Sequence, residues 1–368
     1  MLAVTQWDKQ PPRDLPKLFA TAMGALRASG DQRPEEALAV IRNWDAWTLV
    51  ARRGAFTRAE IARLRAFADE QGFDLVYHPG MRAADANRFH RLARDDAFLA
   101  AQALASPGGA AYVRAYKFDI APARDDRPYF ANFFRWATLP ELWRLREQGA
   151  AVLLDSGYLL LAVALLQAVP ISAALVLLPL FVLPRADAGI VRWRAAVYFV
   201  ALGLAFLFIE IACLARVQLL LGQPWLAIAV GLAGFLAFAG LGSVQAPRWR
   251  AREAVFAIGL GLGWHLATYP VALAFAAAWS DAARACVALV TIAPLAFAMG
   301  LPFPIGLSRL AREAPAFVPW AWGLNGCASV VAAVGALLVA VEIGLRGTLL
   351  LALALYAVAA WTWRAERQ

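Results

Sequence analysis

The first 156 residues contain no apolar run long enough to cross a bilayer, and the chain from Gly157 onward consists of little else. A helical span needs about 20 consecutive apolar residues. Runs at 157–183, 195–221, 224–244, 254–278, 285–307, 318–341 and 347–363 approach or exceed that length with few charges. They predict an α-helical polytopic membrane protein of about seven transmembrane helices. Residues 1–132 form a partial α/β domain ahead of it, residues 133–156 an amphipathic linker, and residues 157–363 the bundle.

Charge divides at the same place: 22 of the 35 Lys and Arg and 19 of the 26 acids precede Gly157. The excess arginine beyond it clusters at the ends of apolar runs, as loops facing the cytoplasm require, so the net charge of +9 reports membrane topology and not nucleic-acid binding. Cys213, Cys286 and Cys327 all lie inside apolar runs without CxxC spacing, which indicates packing residues and neither a disulfide framework nor a zinc site.

Ahead of Gly157, β-like and helical runs alternate. Leu2–Thr5, Ala46–Ala51 and Phe73–Tyr77 read as strands, and residues 16–28 and 57–71 as helices, an α/β pattern. Thr57-Arg58-Ala59-Glu60 fits a capping box, and Ile61, Leu64, Phe67 and Ala68 form the face expected to lie on the sheet. A doubly wound cofactor domain needs a glycine-rich turn after its first strand and an acidic residue about 20 positions on. Gly54 stands alone, Gly80 belongs to a His78-Pro79-Gly80 turn, and Gly108-Gly109 follows a helix. The segment therefore reads as the second half of a Rossmann-like domain whose cofactor-binding half is supplied upstream or separately.

Leu2-Ala3-Val4-Thr5-Gln6-Trp7, Pro11-Pro12-Arg13-Asp14, Phe73 through Gly80, and Asp119 through Phe130 with its Asp125-Asp126-Arg127-Pro128 core resemble the membrane-integrated spermidine synthase-like family of S-adenosylmethionine-dependent transferases. The likeness continues through Ile209-Glu210-Ile211-Ala212, Leu221-Gly222-Gln223-Pro224, Ala239 to Ser243, Leu301-Pro302-Phe303-Pro304 and Pro319 to Gly326. It implies that the complete protein transfers an aminopropyl or methyl group from S-adenosylmethionine or its decarboxylated form. The acidic loop ending in Asp-Pro that holds polyamine amines in the family has no counterpart, and Arg124 replaces a usual threonine. This chain alone is expected to bind no cofactor and to be inactive.

Asp125 and Asp126 are the weak catalytic candidates, able as paired carboxylates to hold a polyamine cation; the competing reading is an acidic turn capped by Arg127 and directed by Pro128. Apolar and aromatic residues beside Arg135, Arg144 and Arg146 suggest an interfacial helix over 133–147. His78 and His90 lack convergent ligands at metal spacing, and no Gly-x-Ser-x-Gly elbow appears.

Within the apolar half, Glu210 is the most costly residue and must be neutral, paired or facing water. Arg216, six positions on, lies about 120° away around a helix. It is expected to snorkel to the interface, leaving Glu210 to His265, Asn325 or Gln218. Ala227 with Gly231, and Gly259 with Gly263 in a GxxxG, predict close helix packing. Pro294 and the Gly300-Leu301-Pro302-Phe303-Pro304 run must kink or break the fifth span. A transporter-like protein with a polar site around Glu210 and this broken span is the alternative to the transferase, and an inactive remnant is a third reading.

Localisation follows as an inner, plasma-membrane, multi-pass protein whose partner is the lipid bilayer. The arginine-rich loops near 184–194, 245–253 and 308–317 should face the cytoplasm. A cytoplasmic soluble segment, favoured by cytosolic cofactor supply, then requires residues 157–183 to form a re-entrant hairpin. Without one, the segment faces outward or the charge bias misleads.

Overall fold

The computed structural model describes residues 1–145, 157–178 and 189–362, which fall into two compact units. One comprises Met1–Arg124 with Pro128–Leu159, the other Asp125–Arg127 with Leu160–Gln368.

In the first unit, strands β1 (Leu2–Trp7), β2 (Leu38–Arg42), β3 (Ala46–Ala51) and β4 (Asp74–Tyr77) form a sheet of order β1-β3-β2-β4. Every pairing is antiparallel. A Rossmann-like half would pair its strands in parallel, so the expected α/β alternation is present but the doubly wound pairing is not. Helices α1 (Asp14–Ala28) and α3 (Asp96–Ala105) cover one face, burying Leu15, Phe19, Ala101 and Leu104 against Leu38, Val40, Trp47 and Val76. Helix α2 (Arg58–Gln71) covers the other with Ala68 on Leu75, and the Thr57–Glu60 capping box starts it as expected. Its apolar stripe is narrower than predicted, since Phe67 is 46% exposed.

Arg42 is the buried charge of this unit. Its guanidinium lies 3.5 Å from Asp74, 3.7 Å from Asp95 and 4.0 Å from Asp8. Asp74 also accepts the backbone N–H groups of Arg88, Phe89 and His90, so one carboxylate ties a strand start to the loop beside it. Helix α4 (Gly109–Ala115) ends on Arg135, which donates to the carbonyls of Val113, Arg114 and Tyr116. The helix expected over 133–147 starts later. Arg135 satisfies the orphan carbonyls of a helix end, residues 133–135 are not helical, and helix α5 covers only Leu139–Leu145; residues 146–156 lie outside the described residues.

Among the described residues, six helices are long and apolar enough to cross a membrane. They are α6 (Gly157–Leu177), α7 (Gly189–Leu221), α8 (Pro224–Gln245), α9 (Ala251–Phe275), α10 (Asp281–Met299, continued by α11, Pro302–Glu313) and α12 (Val318–Thr362). The seventh expected run is not a separate helix: it is the last part of α12, beyond a break at Gly344 (φ 81°, ψ 169°). Helix α6 is continuous through Pro170, which rules out a hairpin within Gly157–Leu177; residues 179–183 of the expected run lie outside the described residues.

Contacts order the helix ends. Tyr198 Oη donates to the Pro302 carbonyl at 2.6 Å and Trp320 Nε1 to Val176 at 3.0 Å, which gathers the end of α6 and the starts of α7, α11 and α12. Gln223 bonds Asp281 at 3.1 Å and Arg284 the Leu221 carbonyl at 3.4 Å, which gathers the opposite ends. The chain therefore crosses the bundle alternately, with Gly344 at the second end.

Small residues set the closest approaches. A Cβ on Gly261 would lie 2.7 Å from Leu295 Cα, and one on Gly231 would strike Leu214. Gly231 and the buried Ala227 thus pack as predicted, but the Gly259/Gly263 pair does not: a Cβ on either would meet nothing within 4 Å, because the helix turns Gly261 to its neighbour instead. The fifth span breaks at Gly300–Leu301, near its end, and α11 continues as a separate helix. No cavity at that break is needed to explain it.

Candidate functional site

The described polar side chains of the bundle do not gather around Glu210. Glu210 is 8% exposed and makes no hydrogen bond or ion pair among the described residues. Of the partners expected for it, Gln218 is exposed and the other two are engaged elsewhere. His265 is fully buried, with Nε2 3.7 Å from Cys213 Sγ and Nδ1 3.3 Å from the Thr291 carbonyl. Asn325 donates to the Phe199 carbonyl at 3.1 Å, joining α12 to α7.

The constellation lies further along α7, at Arg216. This residue does not snorkel into water: it is 3% exposed, with its guanidinium carbon 5.1 Å from the centre of the Tyr269 ring on α9. Its closest carboxylate is Asp126, at 3.7 Å, beyond hydrogen-bonding distance. Around them opens a cleft of about 380 Å³ lined by Asp125, Asp126, Arg216, Tyr269 and Arg346 on its polar side and by Leu266, Pro270, Leu273 and Ala274 of α9 on its apolar side.

Local sequence explains each position. The break at Gly344 exposes the first N–H groups of a new helical run, which need acceptors. Asp126 supplies them: its carbonyl accepts Leu345 N–H at 2.8 Å and its Oδ1 accepts Arg346 N–H at 2.9 Å. A Cβ on Gly344 would collide with the Asp126 carboxylate, and its backbone lies in a region that glycine alone adopts readily. Pro270 on α9 lacks an N–H, which leaves the carbonyl of Leu266 without its helical donor inside the same cleft.

Of the paired carboxylates singled out in the sequence, Asp126 is thus a helix cap supplied from a distant segment, and Asp125 is exposed at the cleft. Arg127 is exposed, and among the described residues its side chain makes no hydrogen bond or ion pair. Tyr269 and Arg346, absent from the sequence-based candidates, complete the cleft. The Tyr269 hydroxyl is buried and has no hydrogen-bond partner. Arg346 was discoverable as a charge between two apolar runs, whereas nothing local marks Tyr269. In the first unit, His78 Nδ1 lies 2.9 Å from the Pro79 carbonyl and His90 Nδ1 3.3 Å from Asp74 Oδ2, each in its own loop.

No model of a known protein family, no curated protein and no solved structure matches the chain. Chemistry must therefore be argued from the cleft. It offers several donors, one exposed carboxylate and an apolar wall.

Proposed function

We propose that the chain is a multi-pass protein of the plasma membrane whose helical unit crosses the bilayer seven times and holds a binding cleft for a small charged molecule. In class it is transporter-like. The polar site of that alternative moves from Glu210 to Arg216, and the broken fifth span is no part of it. Membrane residence is supported by the apolar side chains that the bundle leaves outside, among them Leu166, Leu236, Phe256 and Val330, each more than half exposed. One observation carries the binding reading. Arg216 is buried, yet none of its five N–H donors reaches an acceptor within hydrogen-bonding distance among the described residues. Its nitrogens open on the cleft beside the 3.7 Å ion pair with Asp126, so a ligand or water there can accept from them.

Sidedness follows from the helix ends. Arg194, Arg248, Arg250, Arg252, Arg309 and Arg312 sit at the end away from Gly344 with Glu253 and Glu313, while Arg127, Arg216, Arg284 and Arg346 are balanced by Asp125, Asp126, Asp281 and Glu342 at the cleft end. The arginine-rich end faces the cytoplasm and the cleft opens on the other side. The segment ahead of Gly157, which has no span of its own, then lies outside the cytoplasm, contrary to the expectation from cytosolic cofactor supply.

A second reading keeps the transferase resemblance, supported by the Asp125-Asp126-Arg127-Pro128 segment and the α/β unit. In that case a separate polypeptide provides the S-adenosylmethionine grip and this bundle presents the acceptor. A single panel separates the readings: melting of the detergent-purified chain with inorganic phosphate, L-glutamate, spermidine or S-adenosylmethionine. Phosphate or L-glutamate should raise the melting temperature of the wild type and not of Arg216→Gln, stabilisation by spermidine should depend on Asp125, and S-adenosylmethionine should leave wild type and variant unchanged. Stabilisation by S-adenosylmethionine would favour the transferase, and no response to any probe would remove the cleft as a binding site.

A further inference from the structure

We infer that the group held at Arg216 is a phosphate oxyanion, an inference that rests on the cleft being a ligand site. Three observations give it this sign. First, donors outnumber free acceptors. Among the described residues the buried Tyr269 hydroxyl lacks a hydrogen-bond partner and Arg216 makes only the 3.7 Å ion pair with Asp126, and Arg346 lines the same space. Second, Oδ1 of the carboxylate closest to Arg216 already accepts the Arg346 N–H at the start of a helical run, which leaves Oδ2 as its free oxygen. That helix start adds its own partial positive charge to the cleft. Third, two guanidinium groups share one small cleft, where a single oxyanion can accept from both while Asp125 and Asp126 balance their charge.

A phosphate group can accept from Arg216, Arg346 and Tyr269 together through its charged oxygens. The rest of the lining describes the remainder of the molecule. Asp125 and the freed Leu266 carbonyl accept from an amine or hydroxyl, and Leu273 and Ala274 present an apolar wall. A phospholipid headgroup and a small soluble phosphate ester both have this chemistry. The position five residues from the end of α7, roughly 7 Å along its axis, lies within reach of either.

The test uses the full chain purified in a maltoside without phosphate. In one arm inorganic phosphate is titrated calorimetrically against a chloride control. In the other, native mass spectrometry counts phosphatidylglycerol retained from defined micelles. Saturable uptake of one phosphate group in at least one arm is expected, weakened at least about tenfold in Arg216→Gln and in Arg346→Gln. Retention of lipid without response to free phosphate identifies a headgroup; response to free phosphate identifies a soluble ester. Arg346 is exposed, so Arg346→Gln decides the matter if Arg216→Gln does not fold. Uptake unchanged in Arg346→Gln, or absent from both arms, overturns the inference. Uptake of spermidine in place of phosphate, abolished by Asp125→Asn, overturns it too while leaving the cleft a ligand site.

Discussion

Asp74 and Asp126 illustrate how a single carboxylate can organise a segment distant in sequence. Burial by itself raises the Asp74 pKa, but the amides of Phe89, His90 and Arg88, with Arg42 beside it, hold the carboxyl below the usual range. A folded-state pKa below the unfolded one means stabilisation that is complete above the unfolded value, about 3.9, and lost as pH falls through the folded value. Replacing Asp74 by Ala strips a buried arginine of its closest acid and should cost about 3 kcal/mol at neutral pH. Amide hydrogen exchange at Arg88, Phe89 and His90 should speed up in the full chain, and the difference from wild type should shrink below about pH 4. At Gly344 the constraint is steric. Gly344→Ala should cost at least about 1–3 kcal/mol in a detergent melt, whereas Gly326→Ala, whose Cβ would meet nothing within 4 Å, should be tolerated.

Among elements, close packing of small residues determines which helices meet. Leucine at Gly261 would be driven into the Leu295 backbone, whereas leucine at Gly259 would point into open space. Gly261→Leu should lower the melting temperature by several degrees or abolish the monodisperse bundle in size-exclusion chromatography, and Gly259→Leu should do neither. A GxxxG read from sequence names two glycines on one face without saying that a neighbour lies there, which explains why the intervening glycine carries the contact. The strand at Ala46–Ala51 and the helix behind Thr57 were legible because alternation and a capping box are local signals. The strand at Leu38–Arg42 was not, since a short run buried on both faces shows no alternation. Antiparallel pairing of β1 with β3 across the sequence also leaves no local trace.

For the molecule as a whole, the apolar runs were visible in the sequence, including the gap in which Gly344 breaks α12, whereas the assignment of Asp125–Arg127 to the same compact unit as the helices was not. The cleft was half visible. Asp125, Asp126 and Arg216 stood out as charges, but the contact between Asp126 and Arg346 joins positions 220 residues apart and follows from no spacing rule. Alternate crossing, with arginines at one end and balanced charge at the other, makes sidedness the claim on which the rest depends. Single cysteines at Asp125 and at Arg250, introduced after Cys213, Cys286 and Cys327 are replaced, test it through labelling of intact spheroplasts with a membrane-impermeant maleimide. Asp125→Cys should label before permeabilisation and Arg250→Cys only afterwards. The reverse pattern, or labelling of both positions from one side, would contradict the account.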